Sequence, residues 1–315
     1  MNLHNDKKLF RDTIRAAAQN LKINELFVEK DYWISLVLHR LSESKFYSDS
    51  VFKGGTSLSK SYGLIDRFSE DIDIAIINED SKSGNEIRSL IRNVEKEMTK
   101  DLIEIQIKGL TSKGSRFRKT VHEYDSIDEK NKNNKLVVEV NSFANPFPHQ
   151  VRPVKSLVYD FLLQTGNTGI IDPHSLQPFD INVLNKEQTL LEKLVSLIRF
   201  SYDENPTESI KRRVRHFYDL HFLMDDSDCA SFVKADGFIQ KLMELLVHDK
   251  DIFDDPPGWQ DKTIAESPLI SDFENMWNQI RSTYRTELSA LAYSKIPDEV
   301  YIAQSFKELI KRIQS

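Results

Sequence analysis

Apolar residues recur at helical spacing twice near the start of the chain, over residues 8–21 and 26–41, which predicts two helices. In the second, Val28, Tyr32, Ile34, Leu36, Val37, Leu38 and Leu41 form an apolar face. Residues 51–53 read as a short strand entering a Gly54-Gly55 turn, and 56–62 as a short helix ended near Gly63. An apolar-rich strand follows over 72–77, with Asp71 and Asp73 at its start. Residues 85–98 predict a charged, amphipathic helix. The strict alternation of 102–108 predicts a strand, and 116–124 a further one. The polar, Asn- and Lys-rich segment 125–135 reads as a hairpin loop, leading to a strand over 136–140. Asn145-Pro-Phe-Pro148 ends that run, because proline cannot donate to a ladder. Residues 151–184 are mixed and predict no definite element.

From residue 188 the period is helical. Helices are expected over 188–200, 207–224, 229–246, 270–291 and 300–313, with the acidic, proline-containing stretch 249–262 as a long loop. An α/β half followed by an all-α half predicts an α+β architecture, a mixed sheet with flanking helices plus a C-terminal helical domain. The domains are expected over 1–185 and 186–315, with the active cleft between them. The length of 315 residues agrees with roughly two domains of about 150 residues.

Composition narrows the class. At 39% hydrophobic and 29% charged, the chain reads as an ordinary soluble globular protein. No apolar run approaches the roughly 18 residues of a membrane span, and the first residues carry no secretory signal, so the cytoplasm is expected. The single cysteine, Cys229, excludes an internal disulfide and a cysteine-based zinc site. A net charge of −6 argues against a general DNA-coating protein but leaves room for a local basic groove. Lys211-Arg-Arg-Val-Arg215 and Arg116-Phe-Arg-Lys119 are the clusters that could form one.

The stretch with most chemical content is Val51-Phe-Lys-Gly-Gly-Thr-Ser-Leu-Ser-Lys60, followed by Arg67-Phe-Ser-Glu-Asp71-Ile-Asp73. Asp71 and Asp73 are two residues apart and share one face of a strand. Such a pair can hold Mg²⁺ together with substrate phosphates. Gly54 and Gly55 permit backbone conformations that aim N–H groups at a phosphate. Thr56 or Ser57 would stand at a helix N-terminus, where anions are favoured, and Lys60 lies one turn further on. Together these features suit nucleotidyl transfer by in-line displacement. The segment is a near miss to a P-loop, which needs glycine where Ser59 stands. The acids from Asp249 to Asp255 fail as a calcium loop, because Asp254 occupies the glycine position.

This segment resembles the first motif of polymerase-β-like nucleotidyltransferases, and more narrowly the AbiEii/AbiGii toxin family. Phe27-Val-Glu-Lys-Asp-Tyr-Trp33 resembles that family's N-terminal helix signature. Thr189-Leu-Leu-Glu-Lys193-Leu-Val-Ser-Leu-Ile-Arg199 resembles its lysine motif, and Arg213-Val-Arg-His-Phe-Tyr-Asp219 its late Arg…Asp motif. The resemblance implies a polymerase-β-like fold and a third carboxylate on a neighbouring strand. Glu139, an acid in an otherwise apolar strand, is the candidate, as metal ligand or as general base. Asp71, Asp73, Glu139, Lys193 and Asp219 are the expected catalytic residues. Gly54, Gly55, Thr56, Ser57, Lys60, Arg67, Ser69, Lys193 and Arg199 are expected to bind the nucleotide. Two Mg²⁺ ions at Asp71, Asp73 and Glu139, an NTP substrate, a tRNA or other RNA acceptor and a cognate antitoxin complete the expectation. Other acceptors remain open: a protein or small molecule as nucleotidyl or phosphoryl acceptor, or NTP binding without turnover.

Overall fold

The computed structural model describes every residue except 70, 79–81, 129 and 132. The chain divides into two compact units, Met1–Gly63 with Phe68–Leu184, and Leu64–Arg67 with Asn185–Ser315.

In the first unit the elements run α1 (Lys7–Leu21), α2 (Glu25–Ser42), β1 (Ser50–Lys53), α3 (Gly54–Lys60), β2 (Asp71–Ile76), α4 (Gly84–Met98), β3 (Ile103–Ile105), β4 (Ser112–Lys113), β5 (Phe117–Glu123), β6 (Lys135–Asn141), β7 (His149–Val154), α5 (Leu157–Gln164) and β8 (Phe179–Leu184). Among the described residues the strands form one sheet in the order β3-β5-β6-β2-β1-β8-β7, with β4 on β5. The sheet is mixed: β2 runs parallel to β6 and β1 parallel to β8, while β1–β2, β5–β6 and β7–β8 are antiparallel. This is the α+β mixed sheet with flanking helices that the sequence predicts.

Helix α2 departs from a simple amphipathic pattern. It buries Glu29, Lys30 and Asp31 along with Tyr32, Trp33 and its aliphatic face. The charges are tolerated because they are bonded. Glu29 accepts from the Ser126 hydroxyl (2.9 Å) and the Ile127 N–H (2.7 Å). Asp31 accepts from Lys60 Nζ (2.5 Å) and the Leu157 N–H (2.7 Å). The helix is thus tied to α3, to the start of α5 and to the β5–β6 connection. The strand expected over 102–108 shrinks to Ile103–Ile105 beside β5. The undecided stretch 151–184 supplies α5 and the inner strand β8. Ile181, Asn182, Val183 and Leu184 are all buried there, so no two-residue alternation is visible. Asn182 is satisfied by donating to the Tyr47 and Ser50 carbonyls.

The second unit is helical: α6 (Lys186–Phe200), α7 (Pro206–Lys211), α8 (Arg215–Asp225), α9 (Ser227–Lys234), α10 (Gly237–Ile252), α11 (Pro268–Ser271), α12 (Phe273–Leu291) and α13 (Glu299–Gln314). Three helices expected as continuous are broken. Segment 207–224 turns at 212–214, where the N–H groups of Arg213 and Val214 bond three residues back, to Ile210 and Lys211. No glycine or proline marks that turn. Segment 229–246 breaks before Gly237, and 270–291 at Asp272, so the α-helix proper starts at Phe273. Conversely α10 runs to Ile252, into the expected loop. Phe217 of α8 sits in an aromatic core with Phe306 (4.8 Å between ring centres), Trp277 (5.3 Å) and Phe273 (6.3 Å). Segment 64–67 joins this unit through an antiparallel bridge, Arg67 to Ala292, and the Tyr293 N–H bonding to the Asp66 carbonyl (3.0 Å).

Candidate active site

The site begins where β1 passes into α3. Gly54 has φ +79°, a left-handed conformation that favours glycine. A Cβ there would stand 2.2 Å from Asp73 Oδ2, so the same residue is also needed for space. The two hydroxyls after the glycines are turned inward. Ser57 Oγ donates to the Gly54 carbonyl (2.8 Å) and Thr56 Oγ1 to the Asp71 carbonyl, and both residues are buried. They fix the turn against β2. Lys60 does not extend toward the turn: its ammonium is buried on Asp31.

Strand register assembles the charged face. Lys53 of β1 lies opposite Asp73 of β2, Asp73 opposite Glu139 of β6, and Glu139 opposite Lys119 of β5. Residues opposite one another share a face, so the four form one cross-strand row in which two adjacent carboxylates are flanked by a lysine on each side. Asp71, two residues before Asp73, lies on that face opposite Val137. Burial, then the neighbouring Glu139 and Asp71 carboxylates, push the Asp73 carboxyl up to about 8, against the pull of Lys53 and Lys119. Burial works against the Lys119 charge, but Glu139, Asp71 and Asp73 outweigh it and raise its pKa. Lys119 Nζ is 3.5 Å from Glu139 Oε2.

This geometry adds two lysines that residue reasoning left outside the site. Lys53 was legible only as part of the glycine motif, and Lys119 only as part of a basic run. Only the pairing of β5 with β6 places Lys119 on the carboxylate face rather than with Arg118 on the other. Glu139 is on the expected strand and face. However, no group of three His, Cys, Asp or Glu side chains among the described residues is arranged to hold a metal ion. Asp71 and Asp73 are placed as a two-carboxylate set, and Glu139 is turned to Lys119. Ser69 is half-buried two residues before Asp71, and Glu70 lies outside the described residues.

The remaining expected residues lie in the helical unit. Asp219 of α8 is fully buried and accepts two bonds from Arg67, at 2.7 Å from Nε and 2.6 Å from Nη2. Lys193 Nζ of α6 is 2.6 Å from the same Oδ2. Burial alone would raise the Asp219 pKa, but Arg67 and Lys193 outweigh it and hold the carboxyl well below the usual range. Burial, and then the Lys193 charge, depress His216 well below its ordinary value. Its Nδ1 has no hydrogen-bond partner. Arg199 is not part of this cluster. It stacks on Phe253 (4.1 Å to the ring centre) and Phe200 (4.6 Å) and approaches Asp249 (3.7 Å).

The arrangement of a glycine turn packed on a strand aspartate suits phosphate-transfer chemistry, and comparison with known proteins names the kind. No curated protein matches the chain. Among solved structures it is similar to MenT4, a nucleotidyltransferase toxin from Mycobacterium tuberculosis H37Rv. The identity is 15% and the TM-score 0.47, over 96% of this chain and 99% of that one. No described helix is long and apolar enough to cross a membrane. The sequence profile of the nucleotidyl transferase AbiEii toxins of type IV toxin–antitoxin systems matches residues 36–311, so this chain belongs to that family of NTP-using nucleotidyltransferases, which implies a cognate antitoxin.

Proposed function

We propose that this toxin transfers a nucleoside monophosphate from an NTP to the 3′ hydroxyl of an RNA, tRNA being the expected acceptor, with Mg²⁺ held by Asp71 and Asp73. The observation that carries this reading is the placement of Asp73 between Lys53 and Glu139, against the backbone of Gly54. The donor set fits a divalent cation. Two carboxylates share a face, and the crowding that raises the Asp73 pKa is what a cation relieves. When bound, the ion would neutralise charge on the triphosphate.

The chain's own residues do the rest. The Gly54–Gly55 turn brings backbone close to the phosphates, and Lys53 and Lys119 balance the charge of the row. Glu139 receives the proton of the attacking hydroxyl. The new bond forms between that oxygen and the α-phosphorus, the bond to the β-phosphate bridging oxygen breaks, and pyrophosphate leaves. For Arg67, Lys193 and Asp219 we propose a positioning role. One buried carboxylate clamps residue 67 to two helices, and the chain then runs through Phe68 and Ser69 to Asp71.

The test is label transfer from each α-labelled NTP onto total RNA and protein, with the Asp71→Ala/Asp73→Ala protein as control. Label on tRNA-sized RNA, lost in the control, is the expected result. Label on protein, transfer surviving in the control, or no transfer of the α-label while a parallel γ-labelled NTP does label an acceptor would overturn the proposal.

A further inference from the structure

On the other face of the sheet, α4 and β5 enclose a cavity of about 350 Å³ lined by Asn85, Arg88, Ser89, Arg92, Gly114 and Arg118. Three guanidinium groups, an amide and a hydroxyl face it, and no carboxylate lines it. Arg88 and Arg92 are four residues apart on α4, so they lie side by side. Like charges at that spacing destabilise a helix, and among the described residues neither has an ion-pair or hydrogen-bond partner. Arg118 is oriented from below: its Nη2 donates to Glu95 Oε2 (3.1 Å), and Glu95 is itself buried beside His122 (3.2 Å). The Nε of Arg118 is buried with no hydrogen-bond partner, a costly condition for a donor. Asn85 stands in the first turn of α4, a fifteen-residue helix whose N-terminal dipole favours anions. In a chain of net charge −6, this concentration of cations, of which only Arg118 meets a carboxylate among the described residues, is not a general surface property.

We propose that this cavity is a phosphate-binding site, taking a phosphate monoester or diester through Arg88, Arg92 and Arg118. Guanidinium forks match phosphate oxygens two at a time, and Ser89 and Asn85 supply neutral donors. The repulsion between Arg88 and Arg92 is relieved by one bound anion. The phosphate could belong to a small phosphorylated molecule or to an RNA backbone, and the two are separable.

The experiment is calorimetric titration in metal-depleted buffer, without NTP, with inorganic phosphate and with a single-stranded hexauridylate. Wild type is compared with Arg88→Ala/Arg92→Ala, both surface positions, with thermal melting confirming an unchanged fold. Wild type is expected to bind, and the variant to bind at least about tenfold more weakly. A hexamer that binds more tightly than phosphate, with a salt slope shallower by roughly 1.4 in the variant, identifies an RNA backbone. A hexamer no tighter than phosphate identifies a small phosphorylated ligand. Equal affinity in variant and wild type, or no binding of either probe at millimolar concentration, overturns the site. Neither failure touches the nucleotidyl-transfer reading, which needs metal and NTP.

Discussion

Asp219→Ala removes a buried carboxylate that two buried cations share. Arg67 is 3% exposed, Lys193 6% and Asp219 0%, and both cations bond the same Oδ2. Left about 5 Å apart at an effective dielectric of about 20, two unit positive charges repel by about 3 kcal/mol. Breaking a buried pair by deleting one partner costs about 3–5 kcal/mol. Asp219→Ala should therefore lower stability by that amount, which corresponds to a fall in Tm of roughly 6–20 °C for a unit of this size. Urea denaturation followed by circular dichroism measures it. The triple variant Arg67→Met/Lys193→Met/Asp219→Leu has no charge left unpaired and should recover most of the loss. The pH dependence has a definite sign. The folded pKa of Asp219 is depressed, so its contribution is fully present above the unfolded value of about 3.9 and is lost as pH falls through the folded value. A loss below about 1 kcal/mol in Asp219→Ala, with transfer abolished, would refute the clamp and make Asp219 a participant in the chemistry.

Three further outcomes are expected. His216 has a depressed folded pKa, so below pH 6.5 the unfolded chain binds a proton that the native one does not. Stability should fall by up to about 1.4 kcal/mol per pH unit on acidification from there, and His216→Gln should flatten urea midpoints measured between pH 7 and 5. Gly54→Ala forces a side chain into a left-handed position and onto Asp73 Oδ2. Nucleotidyl transfer should drop about a hundredfold or more, and retention of wild-type turnover would show that Asp73 need not hold its place. Lys60→Met leaves the Asp31 carboxylate unpaired inside the first unit and should cost about 3–5 kcal/mol by thermal denaturation. NTP affinity at temperatures where the variant is folded should be unchanged, whereas a tenfold loss would return Lys60 to the phosphates.

Asp71, Asp73 and the glycine turn were legible in the sequence because their signals are local. Alternation puts two acids on one face, and Gly-Gly after a strand marks a special backbone. The same holds for α1, α4 and strands β1, β2, β5 and β6, whose local patterns mark each element, whereas β3 is shorter than its alternation and β4 carries no signal of its own. The breaks at 212–214 and at Asp272 were not legible, because nothing in local propensity forbids a continuous helix there. Nor was β8, whose burial on both faces erases the alternation.

The sequence by itself determined an α+β nucleotidyltransferase with its acids on one strand, since residue spacing sets which side chains share a face. Tertiary structure alone decided the partners. Lys119 meets Glu139 only through the register of β5 on β6, and Lys60 meets Asp31 only through the packing of α3 on α2. Arg67, Lys193 and Asp219 converge from segments up to 152 residues apart. Long side chains reach whichever opposite charge the fold buries beside them, and that choice is set by desolvation at a distance rather than by any pattern along the chain.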